Sequence, residues 1–593
     1  MKIRLLSEPD KRLNPKVQCC LNRGIPVEDV PEYLSESEDH IYPYDAFPID
    51  KMKQMAAILL QTISASEEAW MPIDSDCDGY SSGALFINYL YKIFPTWVES
   101  CLHWSLQPKK GHGLAPFINE LEEKQYPLII CIDSATNDHQ EIERLHNVGS
   151  QVLIFDHHLS ENGFSPYAIT LNSQYDNYPN SELCGCGVIY KFCKYLDSLI
   201  DVSYADDFLD LVAFGLQSDM MAATSLETKQ LIFKGFRKDN IKNPLLYSIR
   251  QKNDYSISKD DYKVSDKNNL DISPMACSFF ITPLVNACCR SGTMEEKDII
   301  FKAFLNHWAF REIPSTKRGH KIGEQEQIVT QATRQLTNIK NRQTRAEDAI
   351  LEILEQKVKD QNMLDNKVLV FVLKPGEAEP NVRGLAANKM MARYQRPVAV
   401  VTEGLDNYAG SMRGYTATGI ESFKEVAEKS SSCEKVLGHG NAAGIFLSNP
   451  DQFVQDMNEE LKDISTDVVY YVDYIFDADS IDGEVILDLA EMNDYIGTGF
   501  SRPQLFIKNC EINSYSIMKE KHLKINLPTC TAILWNVDEN LKSKLESGNK
   551  ITINFVAKPN VNEFNWQRIP QLVIIDYEII EEKEPDTISS WGF

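Results

Sequence analysis

Between residues 67 and 235, short apolar runs alternate with amphipathic stretches. Ala69-Trp70-Met71-Pro72-Ile73, Pro127-Leu128-Ile129-Ile130-Cys131-Ile132 and Gln151-Val152-Leu153-Ile154-Phe155 carry no charge and are nearly continuous in apolar side chains. That is the texture of strands covered on both faces. Between the first two, YSSGALFINYLYKIF places Leu85, Phe86, Tyr89, Leu90 and Ile93 on one face of a helix. Repeated strand–helix units predict a parallel, doubly wound sheet over 67–235. Residues 1–66 read as a helical lead-in, interrupted by PEYLSESEDHIYPYDAFP and resuming at IDKMKQMAAILLQTI. Residues 236–360 read as a helical connecting region with a polar stretch at 251–270, and a second α/β pattern fills 361–450. From 465 to 583, QLFIKNCEINSY, KHLKINL, TAILWN, KITINFVA and QLVIIDYEII are short strands separated by turns, which predicts a small closed β-barrel. The expected fold class is α/β: a parallel-sheet domain and a second α/β domain joined by helices, with a C-terminal β-barrel.

Composition narrows the class. A length of 593 residues suits three or four domains of roughly 100–200 residues each. A hydrophobic content of 43% excludes wholesale disorder. Fourteen cysteines, adjacent at Cys19-Cys20 and Cys288-Cys289, make neither a disulfide frame nor a CxxC…CxxC zinc site. The start, MKIRLLSEPDKRLNP, lacks the basic-then-apolar pattern of an export signal, and no run of about 18 apolar residues occurs. The expectation is a soluble chain of a reducing compartment, the cytoplasm, with no membrane partner. The net charge of −26 argues against a polyanion-binding protein, because neutralising phosphates takes clustered Lys and Arg.

The candidate chemistry follows the strands. The first runs into Asp74-Ser75-Asp76-Cys77-Asp78-Gly79, the second ends in Asp133, and the third in Asp156-His157-His158. Ligands of open parallel sheets bind at the carboxyl ends of strands. Carboxylates this dense repel one another unless divalent cations balance them, and a mixed oxygen and nitrogen set suits Mn²⁺, Mg²⁺ or Zn²⁺. Two ions about 3.5–4 Å apart would activate water and hold a phosphoryl oxygen. A lone DxDxDG is equally a calcium-type loop or an acidic turn, but a helix–loop–helix calcium site needs glutamate at the twelfth position, which here is Leu85.

Asp156-His157-His158 with the preceding DSDCDG resembles the DHH phosphoesterase family, and the order of later elements is similar to its RecJ branch, the single-strand-specific 5′→3′ DNA exonucleases. Phe214-Gly215-Leu216-Gln217-Ser218-Asp219 resembles the fourth metal motif. Thr282-Pro283-Leu284-Val285-Asn286-Ala287-Cys288-Cys289-Arg290 resembles the branch's phosphate-gripping element. Gly384-Leu385-Ala386-Ala387-Asn388 with Arg396-Pro397, Gly410-Ser411-Met412-Arg413 and Gly438-His439-Gly440-Asn441-Ala442-Ala443-Gly444 resemble the DHH-associated domain. Tyr495-Ile496-Gly497-Thr498-Gly499 and the strands around it resemble the branch's OB-fold, and the lead-in LNRGIPVEDVPEYL fits as well. The resemblance spans nearly the whole chain.

It implies that Asp76, Asp78, Asp133, His157 and Asp219 hold two Mn²⁺ or Mg²⁺ ions, with Asp133 as the bridge. Asp74 is either a further ligand or a loop-closing acceptor. It also implies that Asp133 and His158 are catalytic, and that His158, Arg290, Arg413 and His439 contact substrate phosphate. The alternative for Asp219 is a helix or loop cap. Three departures stand out: Asp133-Ser134-Ala135 lacks the usual glycine, Cys288-Cys289 replaces small residues beside Arg290, and Gly414 stands where a serine usually follows Arg413.

The implied function is hydrolysis of single-stranded DNA from the 5′ end to 5′-mononucleotides in repair or recombination, the strand threading between the two α/β domains. The implied protein is a monomer, with a helicase or single-strand-binding protein as accompanying partner. Trp535 and Trp566 are stacking candidates, though tryptophans of a barrel are more often core. Two other functions compete: a DHH phosphodiesterase of short RNA, adenosine bisphosphate or cyclic dinucleotides, which are compact two-domain enzymes without such a tail, and a non-catalytic nucleic-acid scaffold, against which the intact acidic and histidine set speaks. Charge is segregated in a way that fits the exonuclease. Residues 451–500 hold fourteen acids against the single base Lys462, half of the net charge, whereas 381–400 hold Arg383, Lys389, Arg393 and Arg396 with no acid. A solvated surface is the plain reading of the acidic run, and repulsion of duplex or capture of a basic partner the sharper one.

Overall fold

The computed structural model describes residues 1–583 apart from 36, 110, 260–271, 417–419, 466–468 and 565–566. The chain forms two compact units. One comprises Leu5–Thr337 and Val472–Phe593, the other Asn338–Tyr471 with Met1–Arg4. The division falls inside a single long helix, Ile328–Asp360.

The first unit is built on a parallel sheet of β1 (Ala69–Ile73), β2 (Leu102–Leu106), β3 (Leu128–Ile132), β4 (Gln151–Asp156) and β5 (Ala168–Asn172), side by side in the order β2-β1-β3-β4-β5. The three expected strands are the central ones. The two that the apolar runs did not announce, LHWSL and AITLN, are the edges, where part of the strand stays exposed and no continuous apolar run is needed.

Helices α1 (Cys77–Ile93), α2 (Ile118–Lys124), α3 (His139–Asn147), α4 (Gly185–Ile200) and α5 (Leu209–Ser218) cover the sheet. On one face Leu121 of α2 and Ile142 and Leu145 of α3 pack with Ile129, Cys131, Val152 and Ile154. On the other, the rings of Phe86, Phe155 and Phe192 meet at centroid distances of 4.7–6.4 Å. Helix α1 is buried all round from Cys77 to Leu90, not on one face only. It is sandwiched between the sheet, α4, α5 and the helix Met294–Phe304, to whose Phe304 carbonyl Asn88 donates at 3.0 Å. Between β1 and β2 the chain moves to one side, and between β2 and β3 it crosses back to the other. The crevice at the carboxyl ends of β1 and β3 is therefore the topological switch point of the sheet.

Within 236–360, α6 (Thr282–Ser291) and neighbouring helices are joined by a two-stranded ribbon, Glu312–Pro314 with Gln325–Gln327. The polar stretch at 251–270 lies outside the described residues from 260 onward. The second unit carries β6 (Leu369–Leu373), β7 (Val398–Glu403), β8 (Tyr408–Arg413), β9 (Cys433–His439) and β10 (Ala442–Leu447) in the order β9-β10-β8-β7-β6, parallel only between β6 and β7.

The C-terminal strands belong to the first unit. They are β11 (Tyr474–Asp477), β12 (Leu505–Glu511), β13 (Tyr515–Met518), β14 (His522–Asn526), β15 (Thr531–Leu534), β16 (Lys550–Phe564) and β17 (Gln567–Lys583), hydrogen-bonded in the order β11-β12-β16-β17-β15-β14-β13. Leu505, Ile525, Phe555 and Leu572 form their core, which Cys19, Cys20 and Tyr33 of the lead-in join. A buried ion pair, Arg23 to Asp473 at 2.7 Å, ties the lead-in to this barrel. Trp535 is not core: it is 46% exposed and meets His522 edge-on at 4.8 Å. Trp566 lies outside the described residues. None of the fourteen cysteines is in a disulfide. Among the described residues, no helix is long and apolar enough to cross a membrane.

Candidate active site

Three strands and two helices deliver side chains to the switch point. Asp74 follows β1 directly, and Asp76 then caps α1 by accepting from Gly79 N at 2.9 Å, which turns Asp78 into the first turn of the helix. Asp133 follows β3 directly, and β4 ends in Asp156, followed by His157 and His158. Asp219 stands at the C-terminus of α5. Three sets of ligand atoms lie within 4.8 Å of one another: Asp74, Asp76 and His112; Asp78, His157 and Asp219; and Asp133, Asp156, His157 and His158. Each candidate ligand named from the sequence is in one of them.

Glycines make the close packing possible. A Cβ on Gly79 would lie 2.5 Å from that of Asp74, one on Gly185 2.6 Å from that of Asp133, and one on Gly215 2.5 Å from Asp78 Oδ1. Asp133 adopts φ +61 and Ala135 φ +77. In Asp133-Ser134-Ala135 a left-handed backbone is thus carried by an alanine, at a steric cost.

The ligand atoms are poised for cations. Asp74 Oδ1, Asp78 Oδ2, Asp133 Oδ1 and His157 Nε2 are buried and lack a hydrogen-bond partner. Burying such groups unsatisfied is costly unless something else meets them. His157 Nε2 lies 3.2 Å from Asp133 Oδ1 and 3.3 Å from Asp219 Oδ2. Neighbouring ligands of one octahedral ion, each about 2.1 Å from it, stand about 3 Å apart. The donor set and its spacing fit divalent cations of the Mg²⁺ and Mn²⁺ kind.

The electrostatics agree. Burial pushes the Asp133 carboxyl well up, with the charges of Asp78, Asp76 and Asp219 adding to it. Burial likewise brings Asp219 to about 9, and Asp74 and Asp78 to about 6. Burial lowers His157 to about 4, which leaves its imidazole neutral and able to ligate. His158 goes the other way. Burial opposes its charge, but the hydrogen bond from Nδ1 to Asp156 Oδ1 at 2.7 Å, with the charge of that carboxylate, raises it to about 9. Asp156 is locked in this task, accepting also from His157 N at 2.8 Å and Thr136 N at 3.2 Å.

The sequence did not point to His112, whose Nδ1 hydrogen-bonds Asp74 Oδ2 and whose ring lies 5.7 Å from that of His158. It follows β2, so recognising that strand would have supplied the signal. Cys184, donating to Asp78 Oδ1 at 3.1 Å, was also missed. Helix α6 reaches the site through Asn286, which accepts from Cys77 Sγ at 3.3 Å; Arg290 is one turn further along the same face. Arg413 and His439 belong to the other unit. Both pair with Ala442, which places them on either side of β10 at one level of that sheet. A Cβ on Gly384 would lie 2.9 Å from Arg413 Nη2.

Residues 71–216 match the model of the DHH family, N-terminal domain, and 472–576 that of the RecJ OB domain. The chain is 30% identical, over 99% of its length and 100% of the relative's, to YorK of Bacillus subtilis, whose name places it in the SPbeta prophage and among single-strand DNA-specific exonucleases. It is 24% identical to the single-stranded-DNA-specific exonuclease RecJ of the same organism, over 98% of this chain and 70% of that one. In fold it is similar to RecJ of Thermus thermophilus crystallised with Mn²⁺, at a TM-score of 0.70 and 17% identity over 98% of this chain and 80% of that one. The fold and site define a DHH-family protein with an OB domain. The chain belongs to the RecJ-like single-strand DNA exonuclease family.

Proposed function

We propose that the protein is a metal-dependent exonuclease that hydrolyses single-stranded DNA from the 5′ end to 5′-mononucleotides. The observation that carries the reading is the group of four buried ligand atoms at the switch point that make no hydrogen bond. Asp74, Asp76, Asp78, Asp133, His157 and Asp219 would hold two Mn²⁺ or Mg²⁺ ions. Bound ions of this kind supply Lewis-acid polarisation of a phosphoryl oxygen and a water of lowered pKa. His158, kept protonated and oriented by Asp156, donates from Nε2 to a phosphate oxygen and stabilises its developing charge. Asp133 accepts the proton of the attacking water, and Arg290 grips the adjoining phosphate. Arg413 and His439 bind substrate phosphate. The barrel, residues 465–583, holds the incoming strand, with Trp535 exposed for stacking.

The test is degradation of single strands labelled at either end, with duplex and dinucleotide controls, in Mn²⁺ or Mg²⁺. The expected outcome is mononucleotide release from the 5′ end of single strands only, lost at least about a hundredfold in Asp133→Asn. Full activity of Asp133→Asn would sink the reading, and preferential turnover of dinucleotides would shift it to the small-nucleotide phosphodiesterases.

A further inference from the structure

Of the candidate ligands, Asp219 is the one that stands at the C-terminus of a helix rather than on the sheet, on a loop that leaves it or in the first turn of α1. It ends α5, its N–H donating to Gly215 O at 2.9 Å, and the next residue, Met220, has φ +60 and is 68% exposed. The segment beyond is held at Met221, whose N–H donates to Leu216 O at 3.2 Å, at Ala222, whose N–H donates to Glu182 Oε2 at 3.0 Å, and at Ala223 by the approach to the barrel. Ala223 N donates to Thr498 O at 2.8 Å, Ala222 and Thr498 form a parallel bridge, and the Tyr33 hydroxyl donates to Ala223 O at 2.8 Å. Ala223 is part of the barrel's hydrophobic cluster, together with Tyr33 and Phe500.

The segment it rests on is a tight turn. Gly497 and Phe500 exchange backbone hydrogen bonds of 3.2 and 3.1 Å, and Gly499 between them has φ +78, which glycine adopts without strain. Phe500 stacks on Tyr33 at 5.8 Å and 14°. At Gly497 there is no room for a side chain: a Cβ would lie 2.7 Å from Ala223 Cβ.

We propose that the Gly497–Phe500 turn is a positioning element for Asp219, through which the barrel sets the cation affinity of the catalytic site. The inference rests on the reading of Asp219 as a metal ligand. Three residues separate Asp219 from Ala223, and the first of them, Met220, is exposed and makes the left-handed turn at φ +60, so a displacement of Ala223 that shifts this short span against its anchors on Leu216 and Glu182 moves the carboxylate.

The experiment is a Mn²⁺ titration of the full chain, read as loss of the free-ion paramagnetic resonance signal, alongside thermal melts and kcat. Gly497→Ala should weaken Mn²⁺ binding about tenfold, with kcat recovering at saturating Mn²⁺. Adding Ala223→Gly should restore wild-type affinity by removing the opposing methyl. Tyr33→Phe, which deletes the hydrogen bond to Ala223 and keeps the ring, should weaken binding about threefold and decides the matter if Gly497→Ala does not fold. Unchanged affinity in these variants, or a loss that Ala223→Gly does not reverse, overturns the inference and leaves the functional reading standing. A wild-type chain that binds no Mn²⁺ overturns both.

Discussion

Asp133 sits at φ +61 with its side chain 2% exposed, and its pKa is raised first by burial and then by the carboxylates around it. Asparagine tolerates this left-handed backbone as well as aspartate does. Asp133→Asn therefore keeps the conformation and removes one charge from the crowd. In chelator, the variant should be more stable than the wild type by about 0.5–2 kcal/mol while losing activity, the exchange of stability for function expected at a charged site. Thermal melts in EDTA check it, and a lower midpoint would mean that Asp133 is structural. Asp133 was legible in the sequence because it terminates a continuous apolar strand. His112 was not, because LHWSL interleaves His103 and Ser105 with its apolar residues, as an edge strand can. The contacts of Gly185 and Gly215 were invisible for another reason: they are defined by what lies across the fold, Asp133 and Asp78, which no local pattern encodes.

Among the elements, the central strands and α1 were predictable from period and length, but the burial of α1 was not. Its apolar stripe of Leu85, Phe86, Tyr89 and Leu90 suggested one covered face, yet Ser81, Ser82 and Asn88 are buried too. Ser81 and Ser82 satisfy their hydroxyls on the carbonyls of Asp78 and Gly79, which let polar residues line a closed helix–helix contact. That contact is close because α5 presents Gly215 to Asp78. In an exposed helix, glycine to alanine stabilises by up to about 1 kcal/mol. Here Gly215→Ala would put a methyl 2.5 Å from Asp78 Oδ1 and 2.7 Å from Cys186 Cβ. The sign should reverse, to a loss of about 1–3 kcal/mol, with a raised Mn²⁺ requirement for activity. Melts and Mn²⁺-dependent rates measure both, and a stabilised variant with unchanged Mn²⁺ dependence would refute the packing argument.

For the whole molecule, the net charge of −26 does not mark one repelling face. The acidic run 451–500 straddles the division between the two units at Tyr471 and Val472. Several of its acids are already paired: Asp473 with Arg23, Glu491 with Lys16 and Arg568, Asp477 with Lys508. The charge that matters for stability is the buried cluster instead. Asp74, Asp78, Asp133 and Asp219 have folded-state pKa values above those of the unfolded chain, two of them at about 6 and one at about 9. Carboxyls raised in this way bind more protons folded than unfolded, so stability is present at low pH and is lost as pH rises from about 4, the unfolded value, through the folded values. The metal-free protein should therefore melt at a higher temperature at pH 5 than at pH 8, the reverse of a protein held by ionised salt bridges. Mn²⁺ binds the ionised cluster. At pH 8 it should restore about 2.7 kcal/mol for each site at a hundredfold excess over its Kd, and it should displace protons as it binds. Melts across pH in EDTA and in Mn²⁺, with calorimetric titrations in buffers of different ionisation enthalpy, test the whole scheme. A metal-free midpoint that rises from pH 5 to pH 8, or Mn²⁺ binding without proton release, would show that the cluster is not the cation site its geometry describes.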